Sequence, residues 1–257
     1  MGLRLAENPI EPIHQFRIYD LVPFGNIGGV HFGFTNSALL MVISVVAVSA
    51  LMLIPTAGQR LVPTRFQMLA EQLFTFVSDM VDSNAGHEAM RFFPLVFSLF
   101  TFVLFSNWLG LIPYSFTVAS QVIVTATLAI MVFLTVLIYG IARNGFGFFK
   151  LFVPKGIPWF VIWIVVPIEI VSFLSRPLSH SLRLWGNMLA GHIVLSVFGG
   201  MVVGLLSIGV LGGIVAILPL GMAVALLALE LLVGFLQAFV FAVLTCVYLH
   251  DAYHPAH

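Results

Sequence analysis

Charge is what this chain has least of. Asp, Glu, Lys and Arg make up only 8% of its 257 residues, and ten basic groups cancel ten acidic ones. Nucleic-acid binding rests on clustered cations, so that partner is excluded. Cys246 is the single cysteine; it cannot form an internal disulfide and is expected to pack as a small hydrophobe. Zinc-ligand spacing, a glycine-rich phosphate loop and a nucleophile elbow are missing from the sequence, which argues against soluble enzymology and leaves no expected cofactor or metal. The opening stretch MGLRLAENPIEPIHQF lacks both the apolar core of a secretory signal and the Arg- and Ser-rich, acid-poor character of an import peptide. No removable leader is expected there. The terminal HDAYHPAH is read as a solvated tail rather than a metal site.

What fills the chain instead is apolar surface. Hydrophobic residues reach 61% and mean hydropathy is +1.13. Several runs attain the roughly 20 residues needed to cross hydrocarbon. The expectation is an all-α membrane protein, a single polytopic domain with about five membrane helices and one amphipathic helix at the interface. Residues 1–33 form a polar lead-in, and a first span covers 37–54 up to Pro55. Residues 64–83 differ in kind: Thr64 and Gln67 have the spacing of a capping box. Behind that start, Phe66, Leu69, Leu73, Phe76, Val77 and Met80 share one face, with Glu71, Thr75, Ser78, Asp79 and Asp82 on the other. Further spans are expected at 93–112 and 116–141.

The last hundred residues are unusual. Residues 159–199 and 205–249 each keep a helical pattern for some 40 positions, interrupted by Pro167 and Pro177 in the first and by Pro219 in the second. A straight helix of 40 residues is about 60 Å long, twice the hydrocarbon thickness. Either the pattern breaks into four short spans or it forms a tilted hairpin, turned at the glycine-rich residues 199–204. Charge inside 167–180 makes four spans awkward. Orientation follows from the basic loops. Arg60, Arg65 and Arg91 lie in 55–91, and Arg143, Lys150 and Lys155 in 142–158; the turn near Pro113 has none and the head only Arg4 and Arg17. Both basic loops are assigned to the cytoplasmic (or matrix) side, with the N-terminus outside.

Polar residues at membrane depth then become conspicuous, since each ionised group there costs roughly 2.5–3.5 kcal/mol on insertion scales. Residues 169–192 read EIVSFLSRPLSHSLRLWGNMLAGH. At about 100° per residue, Glu169, Ser172, Arg176, Ser179, His180, Arg183 and Asn187 fall within roughly one third of the circumference, and His192 nearly opposite. A polar seam joining helices is one reading, but two arginines with a single nearby acid make poor glue. In the last helix Glu230, Gly234 and Gln237 share a face, continued by Phe241 and Tyr248. Glu230 is either a neutral, hydrogen-bonded carboxyl or a group that exchanges protons. Asn107, near the end of the second span, suits an inter-helix hydrogen bond as well as an aqueous path. Glutamate and histidine are natural relay groups because environment can bring their titration near ambient pH. Arginine keeps its proton and acts as a fixed cation.

The stretch SLRLWGNMLAGH, followed some forty residues later by LLVGFLQAFVFAVLTCVYL, closely resembles the a subunits of rotary F-type ATP synthases, of the alphaproteobacterial and mitochondrial type. SNWLGLIPY and TNSALL fit the same family, and the likeness covers essentially the whole chain. The resemblance implies a stator subunit that packs its last two helices against a ring of c subunits. Peripheral-stalk b subunits and the rest of the synthase are its further partners, lipid its surroundings and protons its cargo. It implies that Arg183 is the essential charge facing the rotor carboxylate and blocking a direct leak. An outer half-channel would pass Asn107, His192, Glu230 and Gln237, and an inner one Glu169, Ser172 and Ser179, with Asn187 also on the proton path, Arg176 in support and no role for His180. Many bacterial members carry glutamate at the position of His192 and histidine at that of Glu230; here the pair is exchanged. Trp185 stands where phenylalanine is common, which touches packing rather than mechanism. The implied location is a bacterial inner membrane or, alternatively, the mitochondrial one, and the chain would be no enzyme on its own. A proton-coupled secondary transporter is the rival reading, but it predicts an internal repeat that the sequence lacks. A passive scaffold, the third, would tolerate an uncharged residue at 183.

Overall fold

The computed structural model describes residues 19–27, 30–56, 64–112, 116–145, 147–148 and 159–253. Arg4, Arg17, Arg60, Lys150, Lys155 and Pro113, which entered the orientation argument, lie outside them, as does most of the lead-in 1–33. The chain is an all-α membrane protein carrying one small hairpin. Strands β1 (Asp20–Ile27) and β2 (Val30–Thr35) pair antiparallel, from Asp20 opposite Thr35 to Ile27 opposite Val30. That hairpin departs from a wholly helical reading. The run VHFGFT is short, aromatic and β-branched, which favours extended backbone.

Helix α1 (Asn36–Thr56) follows directly. Its start is capped from the strand, since the Thr35 hydroxyl accepts the Ala38 N–H at 3.2 Å. Helix α2 (Arg65–Ala85) begins at Thr64, whose hydroxyl accepts the Gln67 N–H at 3.4 Å. Only half of the capping box forms among the described residues: the Gln67 side-chain N–H donates to Glu71 at 2.8 Å, one turn on, and its oxygen does not accept the Thr64 N–H. The face that α2 buries against protein is Ala70, Val77, Met80, Val81 and Ala85. Phe66 and Leu69, on the apolar face of this amphipathic helix, are 72% and 51% exposed. The buried stripe drifts toward the C-terminal half, where α2 meets α3 and α6.

A 3₁₀ segment, His87–Phe92, leads into α3 (Phe93–Gly110), which has proline in its first turn. A second 3₁₀ turn, Val118–Ser120, leads into α4 (Val122–Asn144). Helix α3 is the most enclosed of the set and anchors the core, where Val96, Phe100 and Val103 meet Val77, Val81 and Leu249. Cys246 is fully buried in the same cluster.

Helices α5 (Trp159–Leu206) and α6 (Val210–Tyr253) hold 48 and 44 residues, about 72 and 66 Å at the standard rise. Neither breaks at its prolines. In water an interior proline costs about 3 kcal/mol, but apolar helices tolerate it where neighbouring helices hold the chain in place. The reversal comes at residues 207–209, not at 199–204. Gly209 takes a φ of 99°, and Gly212 packs directly on the Leu205 carbonyl, where any side chain would collide. Gly199 and Gly204 lie inside α5, with open space where a Cβ would be. A sharp turn needs one left-handed residue and one close approach; a run of glycines in an apolar helix supplies neither. All five of α1, α3, α4, α5 and α6 are long and apolar enough to cross a membrane.

Candidate functional site

Antiparallel packing of α5 on α6, with α3 packed on α6, brings side chains of three helices together at Gly234. A Cβ there would stand 3.3 Å from Asn107 Cβ, 3.5 Å from Met188 Cε and 3.5 Å from Trp108 Cδ1. The absent side chain lets α3 reach the α6 backbone: the Asn107 amide donates to the Gly234 carbonyl at 3.1 Å and the Trp108 indole to the Leu231 carbonyl at 3.2 Å. Asn107 therefore makes the inter-helix hydrogen bond, and its Oδ1 stays buried with no partner among the described residues.

One turn before Gly234 lies Glu230, 8% exposed. Its carboxyl group rests over Gly191 of α5, with Cδ 2.9 Å and Cγ 3.1 Å from where a Cβ would be, and Oε1 closer still. Neither carboxyl oxygen has a hydrogen-bond partner among the described residues. The next residue of α5, His192, is 6% exposed. Its Nε2 lies 2.9 Å from the Thr117 hydroxyl, which also reaches the Gly110 carbonyl at 3.3 Å. Asn107, Thr117, His192 and Glu230 thus form one group of buried polar side chains near the Gly110 end of α3. Gln237 lies half-buried seven residues beyond Glu230, two turns along the same face.

The other polar residues of α5 look elsewhere. Arg183 is nine residues from His192, so its side chain leaves the helix on the opposite side. It is exposed, and among the described residues it has no hydrogen-bond or ion-pair partner. Ser172, Ser179 and Asn187 are likewise exposed, while Glu169 is half-buried. Two members of the expected stripe depart from it. His180 is 5% exposed and lies with its ring 4.0 Å from that of Phe241. It sits at the edge of the stripe, where a flat ring can turn into the α5–α6 seam. Arg176 is ion-paired with Asp251 at 2.9 Å and lies over the rings of Tyr248 and Phe173 at 5.0 and 5.3 Å.

Asp251 and Thr117 were not singled out from the sequence. The first belongs to the stretch that the sequence reads as a solvated tail, yet α6 continues to Tyr253, and Ala252 and Tyr253 are buried; residues 254–257 lie outside the described set. Apolar Ala252 in helical register with Leu249 was the signal available. Threonine is too common to stand out without its partner. The end of α6 is held on its other side as well: Asn144 donates to the Ala252 carbonyl at 2.6 Å, the Tyr253 hydroxyl to the Glu88 carbonyl at 2.9 Å, and Arg143 pairs with Glu88 at 2.8 Å. Arg143, Arg176 and Asp251 thus mark one end of the bundle, and the buried His192 and Glu230 lie toward the other.

With this geometry in place, likeness to known proteins becomes specific. The family model described as ATP synthase A chain matches residues 38–250. An ATP synthase subunit a from Mesorhizobium japonicum is 57% identical over 253 residues, covering 98% of this chain and 100% of the relative. Another from Rhodopseudomonas palustris (strain BisB18) is 56% identical over 248 residues, 96% of this chain and 100% of the relative. A third, from Afipia carboxidovorans, is 56% identical over 247 residues, 96% and 99%.

Proposed function

The chain belongs to the ATP synthase A chain family, a multi-pass membrane subunit with a proton-translocating role in that complex, and from this premise we propose how it moves protons. It is the stator half of the motor. The α5–α6 hairpin lies tilted against a ring of c subunits, because helices of about 72 and 66 Å fit a bilayer of about 30 Å only at a steep angle. Peripheral-stalk b subunits hold it against rotation, and α2 lies at the interface. The chain has no ATP chemistry of its own; it provides the route, in the inner membrane of a bacterium.

The observation that carries this reading is the contrast along α5: an exposed Arg183 without a partner among the described residues, and a buried His192 on the opposite side with Glu230 over the neighbouring Gly191. Protons enter by an outer half-channel along Asn107, His192, Glu230 and Gln237 and are handed to a rotor carboxylate, with Asn187 on the proton path one turn from Arg183. After nearly a full turn of the ring they leave along Glu169, Ser172 and Ser179, beside Arg176. Arg183 stands between the two paths, seven residues from Arg176 and nine from His192. It keeps its proton, so it holds the passing carboxylate ionised and repels a proton that would cross directly. The end bearing Arg143 and Arg91 faces the cytoplasm by the basic-loop rule, which puts the buried His192 toward the outer side. One charge falling through 100 mV yields about 2.3 kcal/mol, so several crossings must be coupled to each ATP made by partner subunits.

Replacing Arg183 by alanine tests this. Proton-driven ATP synthesis in membrane vesicles is expected to disappear while the complex still assembles; preserved synthesis would remove the blocking charge from the mechanism.

A further inference from the structure

We propose that Thr117 is a positioning residue for His192, a two-way hydroxyl that serves the imidazole with or without a proton on Nε2. The inference rests on the reading of His192 as a proton-carrying group and adds to it a partner from the segment between α3 and α4.

Thr117 is 3% exposed, and its Oγ1 lies between two groups: His192 Nε2 at 2.9 Å and the Gly110 carbonyl at 3.3 Å. Gly110 ends α3, so its carbonyl is among those that the helix cannot satisfy internally. Residue 110 also makes room for the threonine, since a Cβ there would stand 2.8 Å from Thr117 Cγ2 and 3.0 Å from Oγ1. The hydroxyl is therefore seated, not merely nearby.

A hydroxyl has one proton to donate and two lone pairs to accept with. When Nε2 is bare, the Thr117 O–H donates to it. When Nε2 carries a proton, Thr117 accepts that N–H and rotates its own O–H onto the Gly110 carbonyl. Thr117 keeps its single proton in both states, and the only motion is a turn about Cβ–Oγ. Whatever proton His192 gains or loses is exchanged with other groups on the path. Of the elements around the imidazole, α6 brings Glu230 over the neighbouring Gly191. The adjoining end of α3, residues 116–121 and the first turns of α4 bring no titratable or charged side chain among the described residues. A hydroxyl that answers both states keeps a buried imidazole from being trapped in one of them, because a buried polar group left unpaired is disfavoured.

The test uses the whole synthase in proteoliposomes, with membrane potential and pH difference held constant while the pH of both compartments is stepped together. Thr117→Val keeps the shape and removes the hydroxyl, Thr117→Ala removes it with less bulk, and Thr117→Ser restores it. Val and Ala are expected to slow ATP synthesis about tenfold and to displace its pH profile by about one unit, the scale of a hydrogen bond to a charged group. Ser is expected to keep rate and profile. In a His192→Ala background, Thr117→Val is expected to add no further loss. Three results overturn the proposal: a wild-type profile in Val and Ala, a full additional loss in the His192→Ala background, or absence of both variants from membranes that accept His192→Ala. If His192→Ala itself leaves synthesis intact, the proton path through His192 fails, and this proposal with it. If it abolishes synthesis while Thr117→Val behaves as wild type, the path stands and only the role of the hydroxyl is lost.

Discussion

Arg176 and Arg183 stand seven residues apart on one helix, two turns along a single face, yet the fold treats them as opposites. Arg176 is paired with Asp251 at 2.9 Å, with side chains 22% and 28% exposed, and has aromatic rings beneath it. Arg183 is exposed and has no partner among the described residues. A cation that is neutralised inside its own chain is a structural tie. One that is not carries its charge to whatever lies against the outer face of the hairpin. The comparison teaches that residue type and helical phase place a charge, but the neighbouring helix decides whether that charge is spent.

The sharpest way to break the comparison is at Arg183. Its replacement by alanine is expected to end proton-driven synthesis without loss of assembly, whereas the same change at Arg176 should leave measurable synthesis in the same vesicles. Next in size is the buried pair. His192→Glu and Glu230→His are each expected to lose most activity, and the double exchange to recover part of it, because Glu230 rests over Gly191, the residue next to His192; a double variant no better than either single one would separate them. Gly191→Ala comes third. Its Cβ would collide with the Glu230 carboxyl group, so a cost of about 1–3 kcal/mol in overpacking and a clear fall in ATP-driven proton pumping are expected, with Arg183 undisturbed. The smallest effect belongs to Asp251→Ala, which leaves Arg176 without its partner. A part-buried pair of this kind contributes about 1–2 kcal/mol, read as a lowered unfolding temperature of the complex. An equal loss of function at Asp251 and Arg183 would erase the distinction between the two arginines.

Much of this was legible before any coordinates. Apolar run lengths alone identify five spanning helices, and the nine-residue offset between Arg183 and His192 sends them to opposite sides of α5 whatever surrounds it. The spacing of Glu230, Gly234 and Gln237 likewise holds once α6 is a helix. Less legible was where α5 turns back. The glycines at 199–204 suggested a corner, but the chain spends its left-handed residue at Gly209 and its close approach at Gly212. Asp251 and Thr117 were invisible for a related reason. Their partners lie 75 residues away in each case, and no local pattern records a contact across a hairpin or between helices.

Periodicity and hydrophobic length are properties of a strand of residues, and they by themselves determined that this protein crosses a membrane several times, with a fixed cation and an imidazole facing apart on one long helix. Tertiary structure alone decided which arginine is neutralised, which hydroxyl answers His192, and that Glu230 meets α5 at a glycine. Those depend on the register of α5 against α6 and on the approach of α3. Registers between helices are set by close packing at a few small residues, Gly191, Gly212 and Gly234 among them, and packing exists only once the chain has folded.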